Sequence, residues 1–462
     1  MTNIILDTDS YKHSHYLQYP PETTIVNSYV ESRGGKHESV LFFGLQAWLK
    51  KLLANPITQA DIDDAAWVCH EHGISFNLAG WQHILDKHDG YLPLEIEAVP
   101  EGTIVPISNV LVQVRNTDPA CYWLSSFVET SLLRGVWYPT TVATISYHAK
   151  QSILEALEES SDELAEPVAQ FMLHDFGARG VSSEESAALG GLAHLVNFRG
   201  TDTMNALLAA RTYYQEPMAA FSVPASEHST MTSWGEDREA DAYSNMLKQF
   251  KGSNIISIVA DSYDIFRAVN DIFGGELKDQ VLENAEAGSR LVVRPDSGDP
   301  IENPIAVIKA LMEQFGSRTN SKGYKILPDH VRVLQGDGIT PDTIKKILSR
   351  MLEEGLSAEN IVFGMGSGLL QQVTRDTQHF AMKCSAVKVN GNWQDVFKNP
   401  ITDKGKASKR GVLALVKNEN GYETRQTEGT EESAMRTVYR NGEMLVEDTL
   451  EQIRHRSMTF KA

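Results

Sequence analysis

The sequence is short of cysteines and of positive charge, and it has no long apolar run; each shortage excludes a class of protein. The 462 residues include three scattered cysteines, which have neither metal-site spacing nor the even number of a disulfide framework, so we expect a reducing compartment. The 42 Lys and Arg face 61 Asp and Glu, and a net charge of −19 argues against nucleic acid or an anionic membrane as the main partner. No apolar stretch is long enough to cross a bilayer, and the first ten residues lack the basic and apolar regions of a secretion signal. We therefore expect a cytoplasmic protein.

Seven short apolar runs between residues 171 and 370 stop at a polar, glycine-rich or acidic turn, and a helical pattern usually follows. They end at residues 173–176, 196–199, 221–224, 258–261, 293–296, 334–337 and 362–364. Strands that alternate with helices at this spacing predict βαβ units and a parallel sheet. Ligands bind at the carboxyl ends of such strands, and here those ends carry His, Asp, Arg and Gly. The pattern predicts an enzyme with a site for an anionic, hydroxyl-rich ligand.

The parts of the chain on either side of these runs have a different rhythm. A chain of 462 residues is too long for one ordinary core, so two or more packed units are expected. Residues 1–150 mix strand-like and helical patterns, and an acid-rich stretch at 155–166 marks a boundary. After Asp376, strand patterns alternate with hairpin turns such as Asn390-Gly391. We therefore expect an α/β protein in which 161–376 form a barrel and 1–160 and 377–462 together form an α+β domain.

The segment at 221–230 holds the sharpest candidate for chemistry. His228 follows a predicted strand, lies next to Glu227 and precedes Ser229 and Thr230, which can begin a helix. A neutral imidazole here can act as a general base or a nucleophile, with the neighbouring carboxylate fixing its tautomer. The alternative is a capped helix start that carries a surface histidine, and spacing alone leaves both open.

Acids and an arginine follow three further strands. Arg294 suits a bidentate grip on phosphate, while Asp296 and Asp299 can bind Mg²⁺ or ribose hydroxyls. The alternative there is a plain salt bridge and turn. Asp261 and Asp337 repeat the pattern of an acid immediately after a strand. Each alone is a common cap or turn former, but together on one rim they favour metal or ribose contact.

Three other segments have two interpretations each. The glycine-rich residues 364–368 lead into a predicted helix, where successive N–H groups make either an anion cradle or a chain reversal. Residues 404–410 gather cations in an acidic protein, as a solvated loop or as a grip on phosphates. Phe176 and Arg179 lie at another strand end, where core packing of Phe176 is the alternative to a role in binding.

Together these segments resemble the nicotinamide phosphoribosyltransferases, a family of type II phosphoribosyltransferases. The resemblance covers nearly the whole chain, through motifs at residues 7–12, 174–177, 200–203, 222–225, 227–230, 294–298, 335–338 and 370–376. It implies an irregular TIM-like α/β barrel, a second α+β domain built from both ends of the chain, and a homodimer with shared active sites. It also implies phosphoribosyl transfer from phosphoribosyl pyrophosphate to nicotinamide in NAD salvage, with Mg²⁺ holding the pyrophosphate and ATP as co-substrate.

The resemblance assigns residues of this sequence to each part of that reaction. The nicotinamide pocket would comprise Phe176, Tyr11 of the partner subunit, Asp202, Arg294, Ser222, Val223 and Ala225. Phosphate and ribose would bind to Arg179, Gly336, Asp337, Gly366, Ser367, Arg375, Arg33, Lys383, Lys398 and Lys406. The catalytic group would comprise His228, Glu227, Asp296 and Asp261, of which Asp261 and Asp296 would also serve Mg²⁺.

Two of these implied roles have a direct physical meaning. Asp202 would face the amide nitrogen, because a carboxylate accepts a hydrogen bond from a carboxamide NH₂ but repels the carboxylate of nicotinate. This favours nicotinamide over nicotinate as substrate. His228 would be phosphorylated by ATP, with Glu227 orienting it, so that ATP hydrolysis drives formation of the mononucleotide.

The sequence departs from the family pattern in places, and other functions stay open. Ser367 stands where a glycine is expected and Ala381 where a serine is expected, which affects the fine phosphate contacts. Alternative functions are nicotinate phosphoribosyltransferase and a non-catalytic binding or signalling protein on the same fold. A barrel hydrolase would need a tightly bound metal, and the sequence shows no His/Asp spacing for it.

Overall fold

The computed structural model describes residues 3–402, 407–419, 421–427 and 432–459. Its strands are β1 (Thr23–Ser32), β2 (Ser39–Leu41), β3 (Leu94–Ala98), β4 (Ile104–Pro106), β5 (Val110–Asn116), β6 (Leu173–Asp175), β7 (Gly200–Thr201), β8 (Ile255–Val259), β9 (Arg290–Arg294), β10 (Arg318–Thr319), β11 (Lys325–Ile326), β12 (Val331–Gln335), β13 (Ile361–Met365), β14 (Phe380–Val389), β15 (Asn392–Asp395), β16 (Leu413–Asn418), β17 (Gly421–Gln426), β18 (Arg436–Arg440) and β19 (Glu443–Met444). Its helices are α1 (Leu45–Trp48), α2 (Gln59–His72), α3 (Leu78–His88), α4 (Leu124–Phe127), α5 (Glu129–Ser160), α6 (Ala165–Ala169), α7 (Glu184–His194), α8 (Met204–Tyr214), α9 (His228–Thr232), α10 (Glu239–Gln249), α11 (Ile265–Arg267), α12 (Lys278–Glu286), α13 (Glu302–Phe315), α14 (Pro341–Glu353), α15 (Ser367–Leu370) and α16 (Leu450–Thr459).

The described chain divides into two compact units. Unit 1 draws on residues 1–144, 209–217 and 373–462, and unit 2 on residues 145–208 and 218–372. The sequence places its boundaries at 160/161 and 376/377 instead, and it has no signal for the short return at 209–217. Helices α5 and α8 run across two of these boundaries, so no break in secondary structure marks either boundary in the sequence.

Unit 2 is built on a parallel sheet with the strand order β7-β6-β13-β12-β9-β8. The segment 221–225 lies between the two outer strands, because Gly200 of β7 forms a parallel bridge to Phe221 and Ala225 forms one to Ser257 of β8. These bridges complete a ring of neighbours, so the sheet curls into an irregular α/β barrel. The predicted fold class is confirmed.

Burial on both faces explains why these strands are apolar runs. All five residues of β12 are buried, and Leu291, Val292 and Val293 of β9 are buried too, as expected for parallel strands covered on each side. The helix that follows β12 has a capped start. Thr340 accepts a hydrogen bond from the backbone N–H of Thr343 at 3.2 Å, and Pro341 takes the first position of α14.

A local prediction in unit 2 is wrong. The run 196–199 is not a strand; Phe198 closes a turn onto the carbonyl of His194 and stacks on its ring at 5.0 Å, and β7 begins at Gly200. The apolar residues there fill the turn after α7 rather than a sheet position. Helix α7 begins nearby, and its cap is Ser183, whose hydroxyl accepts from the N–H of Ser186 at 3.1 Å.

Unit 1 contains a seven-stranded antiparallel sheet with the order β15-β14-β1-β5-β3-β18-β19. The long β1 pairs with β14 on one side and β5 on the other, so segments from both ends of the chain share one sheet, and the strands predicted after residue 376 are confirmed. Asn390 and Gly391 have φ values of 49° and 76°, which suit the tight turn between β14 and β15. In the core, Trp81 of α3 packs edge-on against Trp123 at 4.8 Å.

Candidate active site

His228 and two aspartates meet at the carboxyl edge of the barrel in unit 2. His228 begins α9, and its Nε2 lies 3.0 Å from Oδ1 of Asp261, which follows β8. Its Nδ1 lies 4.0 Å from Oδ2 of Asp296, which follows β9. The side chain of His228 is 45% exposed, whereas that of Asp261 is 5% exposed. A solvent-accessible imidazole is therefore held by a buried carboxylate, the arrangement that fixes a tautomer for base or nucleophilic chemistry.

Arg294 and Asp296 form a bidentate pair beside this histidine. The guanidinium donates from Nε at 3.1 Å and from Nη2 at 2.8 Å to the two carboxylate oxygens. The Cζ of Arg294 also lies 6.0 Å from the centre of the Phe176 ring. The salt bridge that was the plain alternative for this segment is present, and it places a cation next to an aromatic face.

The position of the Phe176 ring depends on a glycine in the neighbouring strand. A Cβ at Gly364 would lie 1.9 Å from Cε2 of Phe176, and one at Gly336 would lie 3.6 Å from the same atom. The N–H of Phe176 donates to the carbonyl of Met365 at 2.9 Å. The ring is half-buried. It packs on β13 and is not fully enclosed in the core.

Asp175 precedes this ring and titrates unusually. Burial raises the pKa of its carboxyl to about 6, against the lowering effect of hydrogen bonds from the Gly177 N–H and the Thr201 hydroxyl. The Gly177 N–H donates to Oδ1 of Asp175 at 2.7 Å, which fixes the backbone just after Phe176.

Asp202 lies one strand further along the same edge. Its Oδ1 accepts a hydrogen bond from the hydroxyl of Ser222 at 2.6 Å, and both side chains are exposed. Ser222, Val223 and Ala225 belong to the segment 221–225 that closes the barrel. The structure thus brings Asp202 together with the first residue of the predicted pocket wall.

The glycine-rich strand ends lie at the same carboxyl edge. A Cβ at Gly336 would be 3.4 Å from Oδ1 of Asp296, and one at Gly366 would be 3.7 Å from the carbonyl oxygen of Phe176. Ser367 begins α15, close enough to the loop after β6 that a Cβ at Gly180 would meet its Oγ at 2.6 Å. The exposed side chains of Arg179 and Asp337 follow β6 and β12. These groups stay predicted phosphate contacts.

Unit 1 contains three of the predicted phosphate-binding cations: Arg33, Lys383 and Lys398. Burial lowers the pKa of Lys383, the charge of Glu129 opposes this, and the charges of Arg33, Lys398 and Lys12 lower it further. Arg33 donates from Nε to Glu31 at 2.8 Å, while its buried Nη2 has no partner among the described residues. Glu31 and Glu129 neutralise part of this positive charge, and the unmatched donor of Arg33 is suited to binding an anion.

The remaining predicted site residues belong to unit 1 or lie outside the part of the chain that the structure describes. Tyr11 is 58% exposed and packs edge-on against His15 at 4.7 Å. Arg375 donates to Asp376 at 3.1 Å and is exposed. Lys406 lies outside the described residues.

The expectation that Glu227 orients His228 is wrong for this structure. The carboxylate of Glu227 accepts from the hydroxyl of Ser229, and its backbone N–H donates to Oγ1 of Thr230 at 3.2 Å. Proximity in the chain misled the prediction, since consecutive residues at a helix start point in different directions. The orienting carboxylate is that of Asp261.

Three residues of these clusters were not predicted from the sequence. Ser297 donates to Oδ2 of Asp261 at 2.5 Å, so it holds the carboxylate that holds His228. Lys409 donates to Glu31 at 2.5 Å, and Lys12 joins the cations of unit 1. Signals existed for all three, since Ser297 lies inside the 294–299 turn, Lys409 in the basic run and Lys12 in the first motif.

The carboxylates near His228 have the oxygen ligands that Mg²⁺ prefers. Asp261 is already bonded to His228 and Ser297, and Asp296 to Arg294. Each can therefore offer at most its remaining lone pairs, which suits an ion that keeps its waters and binds mainly through substrate phosphates. Separately, no helix in the described part of the chain is long and apolar enough to span a membrane.

The fold is shared with two solved enzymes. A nicotinate-nucleotide pyrophosphorylase from Pyrococcus furiosus superposes with a TM-score of 0.62 at 16% identity, covering 99% of this chain and 95% of the other. Human nicotinic acid phosphoribosyltransferase gives a TM-score of 0.58 at 17% identity, covering 98% and 92%. At these identities the likeness is one of fold.

Sequence comparisons go further. The profile of the nicotinate phosphoribosyltransferase (NAPRTase) family matches residues 171–443, and that of the nicotinamide phosphoribosyltransferase N-terminal domain matches residues 3–96. A protein of Xanthomonas campestris pv. campestris (strain 8004) named nicotinamide phosphoribosyltransferase is 52% identical over 98% of both chains. One of the same name from Acinetobacter baylyi is 33% identical, over 97% of this chain and 95% of its own. The matches to the profile and to these relatives define a pentosyltransferase, and the chain belongs to the nicotinate phosphoribosyltransferase family.

Proposed function

We propose that this protein transfers the phosphoribosyl group of phosphoribosyl pyrophosphate to nicotinamide, giving nicotinamide mononucleotide and pyrophosphate in NAD salvage. The pyridine nitrogen forms a bond to C1 of the ribose as the bond from C1 to the pyrophosphate oxygen breaks. The observation that carries the choice of base is the exposed Asp202, whose carboxylate is held by Ser222. The names of the 52% and 33% identical relatives support it.

The base would bind between Phe176 and Tyr11 of the partner subunit. Arg294 would hold the carboxamide oxygen, and the second oxygen of Asp202 would accept from its NH₂. A carboxylate at this place would repel the carboxylate of nicotinate, and this repulsion would favour nicotinamide. Val223 and Ala225 would line the pocket beside Ser222.

Positive charge develops on the ribose in such a reaction, so the rim acids would stabilise it electrostatically. The 5′-phosphate would bind to the backbone at Gly336, Asp337, Gly366 and Ser367, with Arg375 of the partner subunit. Arg33, Lys383, Lys398 and Lys406 would bind the pyrophosphate or the phosphates of ATP, and Arg179 is a further predicted contact of these phosphates. Asp261 and Asp296 would hold Mg²⁺ through their remaining lone pairs, and the ion would neutralise charge on the leaving pyrophosphate.

ATP would drive the reaction through His228. Donation of the Nε2 proton to Asp261 leaves the lone pair on Nδ1. That nitrogen would attack the γ-phosphorus, forming an N–P bond and releasing ADP. Water would later cleave the bond and release phosphate. Asp261 and Ser297 keep the ring in the reactive tautomer.

The second candidate is nicotinate as the base, which the family profile and the human structure carry in their names. One assay separates the two and also tests the non-catalytic alternative. Purified protein receives phosphoribosyl pyrophosphate and Mg²⁺ with either base, each with and without ATP. We expect nicotinamide mononucleotide, in higher yield with ATP. Nicotinate mononucleotide as the main product would overturn the choice of base, and no product from either base would overturn the enzyme.

A further inference from the structure

Unit 1 contains a second cluster of chemistry-bearing side chains that the proposed reaction does not use. Within the described ranges, one group of His, Cys, Asp and Glu brings three or more ligand atoms within 4.8 Å of one another: His83, His88 and Asp118. All three are half-buried, with 32%, 23% and 21% of their side chains exposed. The cluster is therefore open to solvent yet partly shielded from it.

The geometry converges on a single oxygen. Nε2 of His83 and Nε2 of His88 each lie 2.7 Å from Oδ2 of Asp118. The two rings are 5.9 Å apart at 65° to each other, so they approach the oxygen from different directions. This leaves one side of the group for a further ligand such as water.

The carboxylate is fixed before any ligand arrives. Its other oxygen, Oδ1, accepts from the N–H of Ala120 at 2.8 Å, and the carbonyl of Asp118 accepts from Nδ2 of Asn116 at 2.8 Å. The two histidines are likewise placed by α3, which ends at His88.

We propose that His83, His88 and Asp118 bind Zn²⁺. Two imidazole nitrogens and one carboxylate oxygen form a ligand set that this ion takes at about 2.0–2.2 Å, with water completing the tetrahedron. Such bond lengths separate the ligand atoms by roughly 3.3 Å, so the cluster needs to open by about half an ångström. Each imidazole moves its proton from Nε2 to Nδ1 when it binds the ion, and no proton is lost from a neutral ring.

The bound ion would tie the end of α3 to the segment between β5 and α4. These parts are about thirty residues apart in the sequence, and the bound ion would join them in the folded state only. Binding to the folded state raises the unfolding temperature by an amount that grows with the logarithm of the ion concentration divided by Kd. The site is therefore expected to act on stability and not on the transfer reaction.

The test uses the full-length protein after treatment with a chelator, titrated with Zn²⁺ alone in a calorimeter. The decisive variant is His83→Gln, because the glutamine amide still donates to Asp118 and keeps the fold while removing a zinc ligand. We expect wild-type protein to bind one ion more than the variant, or the same number with at least tenfold tighter affinity. Saturating Zn²⁺ should raise the unfolding temperature of wild type by roughly 2–4 °C more than that of the variant.

A matched control is His70→Ala, a histidine of the neighbouring α2 whose side chain is 84% exposed. It should bind Zn²⁺ as wild type does. Co²⁺ gives an independent readout, because a tetrahedral site shows visible d–d bands, which should vanish in His83→Gln. Equal Zn²⁺ binding and equal thermal shifts in wild type and His83→Gln would overturn the proposal.

Discussion

The imidazole of His228 is hydrogen-bonded to Asp261, a residue thirty-three positions away in the chain, and not to the adjacent Glu227. The bond joins the start of α9 to the end of β8. Since Ser297, which follows β9, in turn donates to Asp261, two strand ends contribute to the orientation of one ring at the start of α9. The tautomer of His228 therefore depends on the barrel as a whole.

Replacing Asp261 with Asn should disable His228 without unfolding the barrel. The amide cannot stabilise a positively charged or phosphorylated ring as a carboxylate does, so labelling of the protein by γ-³²P-ATP should fall at least tenfold. The measurement is acid-labile label per subunit after rapid quenching.

Asp264→Asn serves as the matched control for that change. Asp264 caps α11 at the same strand end, accepting from the N–H of Phe266 at 2.9 Å, and Asn caps equally well. Its label should stay near that of wild type. Loss of label in Glu227→Gln with full label in Asp261→Asn would contradict the assignment.

Changing Asp202 should alter which base is used. In Asp202→Ser the repulsion of a carboxylate substrate disappears, so we expect the ratio of kcat/KM for nicotinate over nicotinamide to rise at least tenfold. Asp202→Asn should move the ratio in the same direction while keeping an acceptor for Ser222. A ratio that stays constant in both variants would show that selectivity lies elsewhere.

Gly364→Ala should displace the ring of Phe176. The added Cβ would lie 1.9 Å from Cε2 of that ring, so either the ring or the strand must move. We expect the KM for the base to rise by about tenfold and the free energy of unfolding to fall by about 1–3 kcal/mol. Gly275→Ala is the control, because its Cβ would meet only Asn270 O at 3.6 Å. Unchanged KM in Gly364→Ala would mean that Phe176 does not hold the base.

Glu101 should make unit 1 less stable as the pH rises. Burial raises the pKa of this carboxyl to about 7, although Gln46 and Tyr214 donate to it. A raised pKa in the folded state means that the stabilising contribution is complete below the unfolded value of 4.5 and is lost as the pH rises through 7. The loss can reach about 3 kcal/mol.

Denaturant unfolding of Glu101→Gln between pH 5 and 8 checks this expectation. The variant has no proton to lose at this position, so its free energy of unfolding should change less across the window than that of wild type. Glu71→Gln, an exchange at a side chain that is 60% exposed, should leave the wild-type slope. Parallel slopes for wild type and Glu101→Gln would refute the assignment.

The sequence was most informative where chemistry follows directly after a strand. The runs ending near Asp261, Arg294 and Gly336 are strands β8, β9 and β12 as predicted, because burial on both faces leaves an apolar run that polar residues interrupt. The run at 196–199 misled for the same reason, since a buried turn is apolar too. Periodicity cannot separate the two over four residues.

Side-chain pairing within the site could not be predicted in this way. The bond between His228 and Asp261 joins different strand ends, and its existence depends on barrel curvature that no local pattern encodes. The adjacent acid was the obvious partner and the wrong one. Likewise, Lys12 and Lys383 share one cluster although 371 positions separate them.

The way the barrel closes has a consequence for its motions. Strand β9 is bonded along ladders on both sides, whereas the segment 221–225 is attached by one bridge on each side. The ring therefore has a seam, and Ser222 lies on it. Amide hydrogen exchange at Phe221 and Ser226 should be faster than along β9, because only four backbone hydrogen bonds attach this segment to its neighbours. A base that fills the pocket should slow this exchange, because it would contact both sides of the seam.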